Sequence, residues 1–173
     1  NTDAVQVREV KVENDRVYLY TVPYHADMRA MGGPLLEMYI SSPQPDIIRT
    51  EAYHFMGSNQ KMPAFELNDA HCALVENTET TVTIKSGNPK LVIGKNPCSF
   101  DYYYKDKKLT SIGNRFGNAM ISTISTPDGN YMRAQMNLDI GEKVYGLGER
   151  FTPYVKNGQT VETWNEDGGT CTE

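Results

Sequence analysis

Apolar residues recur at every second position along most of the chain, which is typical of strands that bury one face. Leu36, Met38 and Ile40 follow this rule, and Val82 and Ile84 repeat it between threonines. Hardly any window supports a helix longer than two turns. The pattern therefore predicts an all-β protein.

Turn-forming residues divide the pattern into hairpins. Reversals are predicted at residues 13–15, at Ser86-Gly-Asn-Pro89 and at Pro127-Asp-Gly-Asn130, where Gly129 allows the positive φ of a tight turn. Residues 54–68 predict a long surface loop, and regular structure is expected to resume at Thr80. About nine or ten short strands without a βαβ rhythm favour two packed antiparallel sheets, which is a β-sandwich.

Composition limits the kinds of molecule that the chain is expected to bind. The chain has 173 residues, with 17 Lys and Arg against 22 Asp and Glu, a net charge of −5 and a mean hydropathy of −0.54. The excess of acidic residues disfavours binding to the phosphates of nucleic acids. Apolar runs such as Leu91–Ile93 are far shorter than the roughly 18 residues of a membrane span, and the first residues do not resemble a signal peptide. We expect one domain over residues 1–173, with no nucleic-acid or membrane partner.

The cysteines predict a reducing compartment. Cys72, Cys98 and Cys171 form no CxxC pair and have no metal-ligand spacing. No Asn-x-Ser/Thr sequon occurs either. The sequence therefore predicts reduced thiols in a bacterial-type cytoplasm and no bound metal.

Each of the three histidines has a carboxylate close by in sequence. A His and a carboxylate can act as base and acid in sugar-ring chemistry if the fold brings them together. Structural or surface histidines are the alternative, and spacing alone does not decide between the two. The pairs are His25 with Asp27, His54 with Glu51, and His71 with Asp69.

The C-terminal part departs from the period-two pattern. The glycines of Tyr145-Gly-Leu-Gly-Glu149-Arg150 predict a bulge or a close backbone approach, with Glu149 and Arg150 paired to other groups. Further on, the single tryptophan, Trp164, stands beside Asn165 and near Asp167. A Trp ring packs on the C–H face of a sugar, and Asn and Asp bind hydroxyls. This tail suits carbohydrate recognition, with a plain surface loop as the alternative.

At this tail the sequence resembles glycoside hydrolase family 31, and within it the α-xylosidase branch. Two runs carry the resemblance: Tyr-Gly-Leu-Gly-Glu-Arg-Phe-Thr at 145–152, and the stretch 157–170 around Trp164. Weaker similarity at 75–78, 85–88 and 137–141 follows in the expected order. The resemblance implies a β-sandwich of the galactose-mutarotase-like superfamily, in agreement with the strand pattern.

The resemblance also implies a function. Such a domain is the N-terminal accessory part of a retaining α-glycosidase, here an α-xylosidase, and precedes a (β/α)8 barrel with two catalytic aspartates and no metal or other cofactor. Barrel motifs are absent from these 173 residues, so the chain alone is expected to be inactive, with the barrel as its partner in cis. Residues 151–173 are expected to form a loop reaching toward the barrel. In that loop Asp167 would bind a substrate hydroxyl, with Trp164 and Asn165 beside it.

Several points stay open at this level. The substrate is an α-xyloside or an α-glucoside, and the sequence does not separate them. One alternative function is a stand-alone carbohydrate-binding module, and another is a mutarotase-type sugar epimerase that uses a histidine and a carboxylate. The oligomeric state is also open, because a face that packs on a barrel favours association when uncovered.

Overall fold

The computed structural model describes residues 2–13, 16–23, 35–54, 74–113, 121–148 and 151–163. All regular secondary structure in these ranges is β-strand, and they hold no helix that is long and apolar enough to cross a membrane. The predicted all-β class is confirmed.

Twelve strands are present in the described ranges, and every pairing between them is antiparallel. They are β1 Thr2–Asp3, β2 Gln6–Val12, β3 Arg16–Val22, β4 Leu36–Ser41, β5 Arg49–Tyr53, β6 Leu74–Asn77, β7 Thr81–Lys85, β8 Pro89–Lys95, β9 Cys98–Tyr104, β10 Lys107–Ile112, β11 Ile121–Thr126 and β12 Gly129–Ala134. The sequence did not predict β6. Its four residues are too short for a period-two signal, and it pairs with β7 along its whole length.

The strands form three sheets rather than the predicted two. A four-stranded sheet has the order β2-β3-β4-β5, a five-stranded sheet the order β10-β9-β8-β7-β6, and a smaller sheet the order β1-β11-β12. The small sheet continues into the other two. The Ala4 N–H donates to the Ile121 carbonyl and the Val5 N–H to the Val22 carbonyl, so one extended segment passes between sheets. At the other end Met136 bridges to Ile112 of β10.

The four- and five-stranded sheets bury one shared apolar core between them, which is the sandwich arrangement that the alternation predicts. Among the described residues Phe100 is the largest fully buried side chain. The core consists of Ala4, Val7, Val17, Leu19, Leu36, Met38, Ile40, Val82, Ile84, Leu91, Ile93, Cys98, Phe100, Ile112 and Ile121.

Two polar contacts also join the main sheets across the core. The hydroxyls of Ser42 and Ser86, both buried, lie 2.6 Å apart. The Thr50 hydroxyl lies 3.1 Å from the Tyr102 hydroxyl. Buried hydroxyls need such partners, because leaving one unbonded costs about 1–3 kcal/mol.

The turn at Gly87 shows why glycine is needed there. Gly87 has φ +65°, and a Cβ at this position would overlap the carboxylate of Asp46. The same carboxylate accepts a hydrogen bond from the Asn88 N–H at 2.8 Å. The predicted reversal is therefore confirmed, and it also anchors the loop between β4 and β5.

The chain divides into two compact units, Asn1–Asn137 and Leu138–Glu173. The first contains all twelve strands, and the described residues 138–163 contain none. A single domain over residues 1–173 stays a prediction.

Candidate functional site

The predicted sugar-contacting residues Trp164, Asn165 and Asp167 lie outside the described residues, as do Glu149 and Arg150. The segment that leads to the first three is described from 151 to Thr163. The described part of the candidate site therefore consists of residues 138–148 and 151–163.

Asn157 holds two stretches of the second unit together. The Val144 N–H donates to Asn157 Oδ1 at 2.8 Å, and Asn157 Nδ2 donates to the Glu142 carbonyl at 3.0 Å. The Lys156 N–H donates to the Val144 carbonyl at 2.8 Å. An Asn side chain carries the same donor and acceptor as a peptide, so it can extend a backbone ladder. We call this arrangement the Asn157 clamp.

Lys156, next to the clamp, is buried, with 9% of its surface exposed. Its ammonium donates to Thr152 Oγ1 at 2.6 Å and to the Pro153 carbonyl at 2.8 Å. A buried charge of this kind is tolerated only with such partners. The contact closes residues 152–156 into a loop, and no sequence signal marks this lysine as buried.

The glycines before the clamp are explained by backbone conformation. Gly146 and Gly148 have φ +120° and +74°, and Leu147 between them has φ +69°. No heavy atom lies within 4 Å of a Cβ built on either glycine. The predicted close backbone approach is therefore absent at these two positions, and the positive φ values account for the glycines.

Large apolar side chains of the second unit lie on its surface. Tyr145 and Tyr154 form a tilted pair with ring centroids 5.3 Å apart. Tyr154 is 82% exposed, Phe151 is 89% exposed and Ile140 is fully exposed. Exposed apolar groups concentrated in one short segment mark interaction surfaces.

The histidine pairs predicted from the sequence gain no support from the described residues. His54 is exposed just after β5, while Glu51 Oε1 accepts from Arg49 at 2.6 Å and from the Tyr53 hydroxyl at 2.9 Å. His25 and His71 lie outside the described residues, together with their neighbours Asp27 and Asp69.

A cleft of about 500 Å³ opens in the first unit between β5, β9, β10, β11 and β12. Among the described lining residues Arg133 is the one with a charge, and it faces Asp3 with an Nη2 to Oδ1 distance of 3.4 Å. The other described lining residues are mainly aliphatic, with Tyr102 and Thr50, and none of them is a carboxylate or an imidazole. The described part of the lining therefore offers no acid–base pair for sugar-ring chemistry.

Cys98 is a structural thiol. It is buried in the core, and burial raises its pKa to about 12, so the reactive thiolate is scarce at neutral pH. Cys72 and Cys171 lie outside the described residues.

The profile of the glycosyl hydrolase 31 N-terminal galactose mutarotase-like domain matches residues 37–173. The chain belongs to this family. The identification confirms the resemblance found at the C-terminal motifs, and the twelve antiparallel strands agree with it.

Two relatives are both named alpha-xylosidase. This glycosyl hydrolase 31 N-terminal domain is 36% identical over 137 residues to the alpha-xylosidase XylQ of Lactiplantibacillus pentosus, covering 78% of this chain and 18% of that protein. It is also 36% identical over 155 residues to an alpha-xylosidase of Emericella nidulans, covering 78% of this chain and 20% of that protein. The chain thus spans about a fifth of the length of these relatives.

Solved structures show the same fold at low identity. A GH31 dextranase of Flavobacterium johnsoniae complexed with glucose superposes with a TM-score of 0.70 at 16% identity, over 96% of this chain and 19% of that one. The cycloalternan-forming enzyme of Listeria monocytogenes, in complex with a pentasaccharide substrate, superposes with a TM-score of 0.64 at 18% identity. This match covers 95% of this chain and 15% of that one.

Proposed function

We propose that this chain is the N-terminal accessory domain of a retaining α-glycosidase that hydrolyses terminal α-xylosides. The observation that carries the proposal is the 36% identity, over 78% of the chain, to two proteins named alpha-xylosidase. Catalysis belongs to a barrel domain in cis, so the isolated chain is inactive. The proposal includes a reducing cytoplasm, in keeping with three cysteines that form no CxxC pair.

In this proposal the C-terminal unit serves the substrate site. The Asn157 clamp and the buried Lys156 fix the base of the tail, and the tail presents Asp167 to a sugar hydroxyl with Trp164 and Asn165 beside it. A carboxylate that accepts a substrate hydroxyl disfavours analogues without that hydroxyl, because it is then left unpaired.

The exposed apolar side chains of the same unit support the proposal that a further domain packs on its surface. Tyr154, Phe151 and Ile140 each leave most or all of their surface in water. Packing this surface against the barrel would remove it from water, and each buried Å² of apolar area contributes about 25 cal/mol.

The test uses the full-length enzyme that carries this domain. Asp167→Ala should lower kcat/KM on 4-nitrophenyl α-xyloside about 10- to 150-fold, since a hydrogen bond to a charged group contributes about 1.5–3 kcal/mol. Asp128→Asn at the exposed β11–β12 turn is the matched control and should leave kcat/KM unchanged.

Three results would contradict the proposal. These are hydrolysis by the isolated chain, a full-length enzyme that cleaves α-glucosides but not α-xylosides, and an Asp167→Ala enzyme with unchanged kcat/KM.

A further inference from the structure

The outer face of the four-stranded sheet carries a group of tyrosines. On β3 the residues Val17, Leu19 and Thr21 are buried against the core, so Tyr18 and Tyr20 between them lie on the opposite face. Burial alternates in the same way on β4, and on β5 Ala52 packs against the core, which leaves Glu51 and Tyr53 on the opposite face. Every tyrosine of this face is half-buried.

Strand register arranges this face in two rows that cross all four strands. In each row, residues on neighbouring strands are directly paired. One row is Lys11, Tyr18, Tyr39 and Glu51, and the next is Glu9, Tyr20, Glu37 and Tyr53. We call these eight residues the tyrosine face.

Three rings of the tyrosine face contact one another in series. The Tyr18 and Tyr39 centroids are 5.3 Å apart at 54°, and those of Tyr39 and Tyr53 are 6.1 Å apart at 69°. The Arg16 guanidinium lies 4.6 Å from the Tyr39 centroid, and the Lys11 ammonium lies 5.4 Å from the Tyr18 centroid. The rings form a continuous aromatic strip across the strands.

Two carboxylates are fixed between the rings. The Tyr18 hydroxyl donates to Glu37 Oε1 at 3.1 Å, and the Tyr53 hydroxyl donates to Glu51 Oε1 at 2.9 Å. Arg49 donates to the same Glu51 oxygen at 2.6 Å. An ionised carboxylate has about four acceptor sites, so both groups keep capacity for further donors. Burial and the Glu37 contact raise the pKa of Tyr18 to about 12, which keeps its hydroxyl a donor.

The eight residues of the tyrosine face include three glutamates and one lysine, and two arginines beside the face bring the charges close to balance. Glu9, Glu37 and Glu51 oppose Lys11, Arg16 and Arg49, and Glu13 adds one further carboxylate that pairs with Arg16 at 2.7 Å. A surface that binds nucleic acid carries excess positive charge, which is absent here. The charge balance therefore complements a neutral ligand.

We propose that the tyrosine face binds a neutral oligosaccharide lying across the strands. Its C–H faces would contact the tyrosine rings, and its hydroxyls would donate to Glu37 and Glu51. A protein partner fits less well, because a dry interface would have to desolvate charges that alternate with the rings. The proposal needs neither a catalytic domain nor residues 164–173, so it is independent of the proposed function.

The test titrates the 173-residue chain with xylotetraose, cellotetraose and maltotetraose by calorimetry, with tetragalacturonate as a charged probe. We expect at least one neutral probe to bind with a Kd of about 1 mM, as suits an open face with few anchors, and the charged probe to bind more weakly. Tyr39→Ala should weaken binding about 2- to 13-fold, the range for losing an aromatic contact.

Matched variants separate this site from others. Tyr131→Ala removes an exposed tyrosine of β12 and should leave the Kd unchanged, as should Asp167→Ala in the tail. Glu37→Gln keeps the size of the side chain and should also weaken binding, which provides a second readout if Tyr39→Ala does not fold.

No binding of the neutral probes at about 10 mM, ten times the expected Kd, would overturn the proposal. So would equal affinities of the Tyr39→Ala, Glu37→Gln and unmodified chains. Loss of binding in Asp167→Ala alone would place sugar recognition in the tail, which contradicts the tyrosine face but not the proposed function.

Discussion

The two units of the chain are held together by different interactions. In the first unit, continuous antiparallel ladders surround a core that includes Phe100, with none of its surface exposed. In the second, the described residues 138–148 and 151–163 form no strand, and hydrogen bonds of Asn157 and Lys156 hold the backbone while Phe151 is 89% exposed.

This difference shows that apolar burial and single hydrogen bonds contribute unequally to the stability of the two units. Burial of a large apolar side chain contributes about 1.5–3 kcal/mol, whereas a single hydrogen bond contributes about 1 kcal/mol net. The first unit therefore has its own source of folding free energy. The second keeps a defined backbone but leaves its apolar side chains available to a further surface.

The largest difference in stability is expected between alanine variants of two phenylalanines, one in each unit. Phe100→Ala should lower the free energy of unfolding by about 3–5 kcal/mol, because it leaves a cavity in the core. Phe151→Ala should change it by less than about 0.5 kcal/mol, because the ring is in water. Urea denaturation followed by circular dichroism measures both. Similar losses in the two variants would show that the units share one core and would break the comparison.

An intermediate effect is expected from two glycines with almost the same φ angle. Gly87 has φ +65° and Gly158 has φ +73°. Alanine at either position pays about 1–2 kcal/mol for positive φ. At Gly87 it must also displace Asp46, while nothing lies within 4 Å of Gly158. Gly87→Ala should therefore lower the melting temperature clearly more than Gly158→Ala, and equal shifts would contradict the role given to Asp46.

The smallest global effect is expected from the Asn157 clamp. Asn157→Ala should change the free energy of unfolding by less than about 1 kcal/mol but should speed hydrogen exchange of the Val144 amide, which loses its acceptor. Asn157→Asp keeps that acceptor but places a carboxylate oxygen opposite the Glu142 carbonyl, so it should protect Val144 better than alanine does and less well than asparagine. Unchanged exchange in Asn157→Ala would mean that the clamp does not hold the second unit.

Much of the fold followed from the sequence. Period-two alternation and turn residues predicted the hairpins, including the reversals at Gly87 and Gly129, and the sandwich class. β6 escaped prediction because four residues give too short a pattern. The third sheet was not predicted either. Alternation shows which face of a strand is buried, but it does not show where a segment leaves one sheet and pairs with another, as the chain does at Ala4–Val5.

The candidate site was less accessible to sequence reasoning. The motifs around Trp164 pointed to the correct family, yet the roles of Trp164, Asn165 and Asp167 stay predictions. Lys156 was missed because an isolated lysine in a polar stretch is usually solvated, and only the local fold brings Thr152 and Pro153 to its ammonium.

By itself the sequence determined the strand class, the main turns and the family, because alternation, glycine at positive φ and motif identity are local properties of the chain. Tertiary structure decided which strands are neighbours. Register between β2, β3, β4 and β5 aligned tyrosines and carboxylates from four separate segments into the tyrosine face. Such an alignment depends on pairing between residues up to 25 positions apart, such as Arg16 and Ser41, which no local pattern specifies.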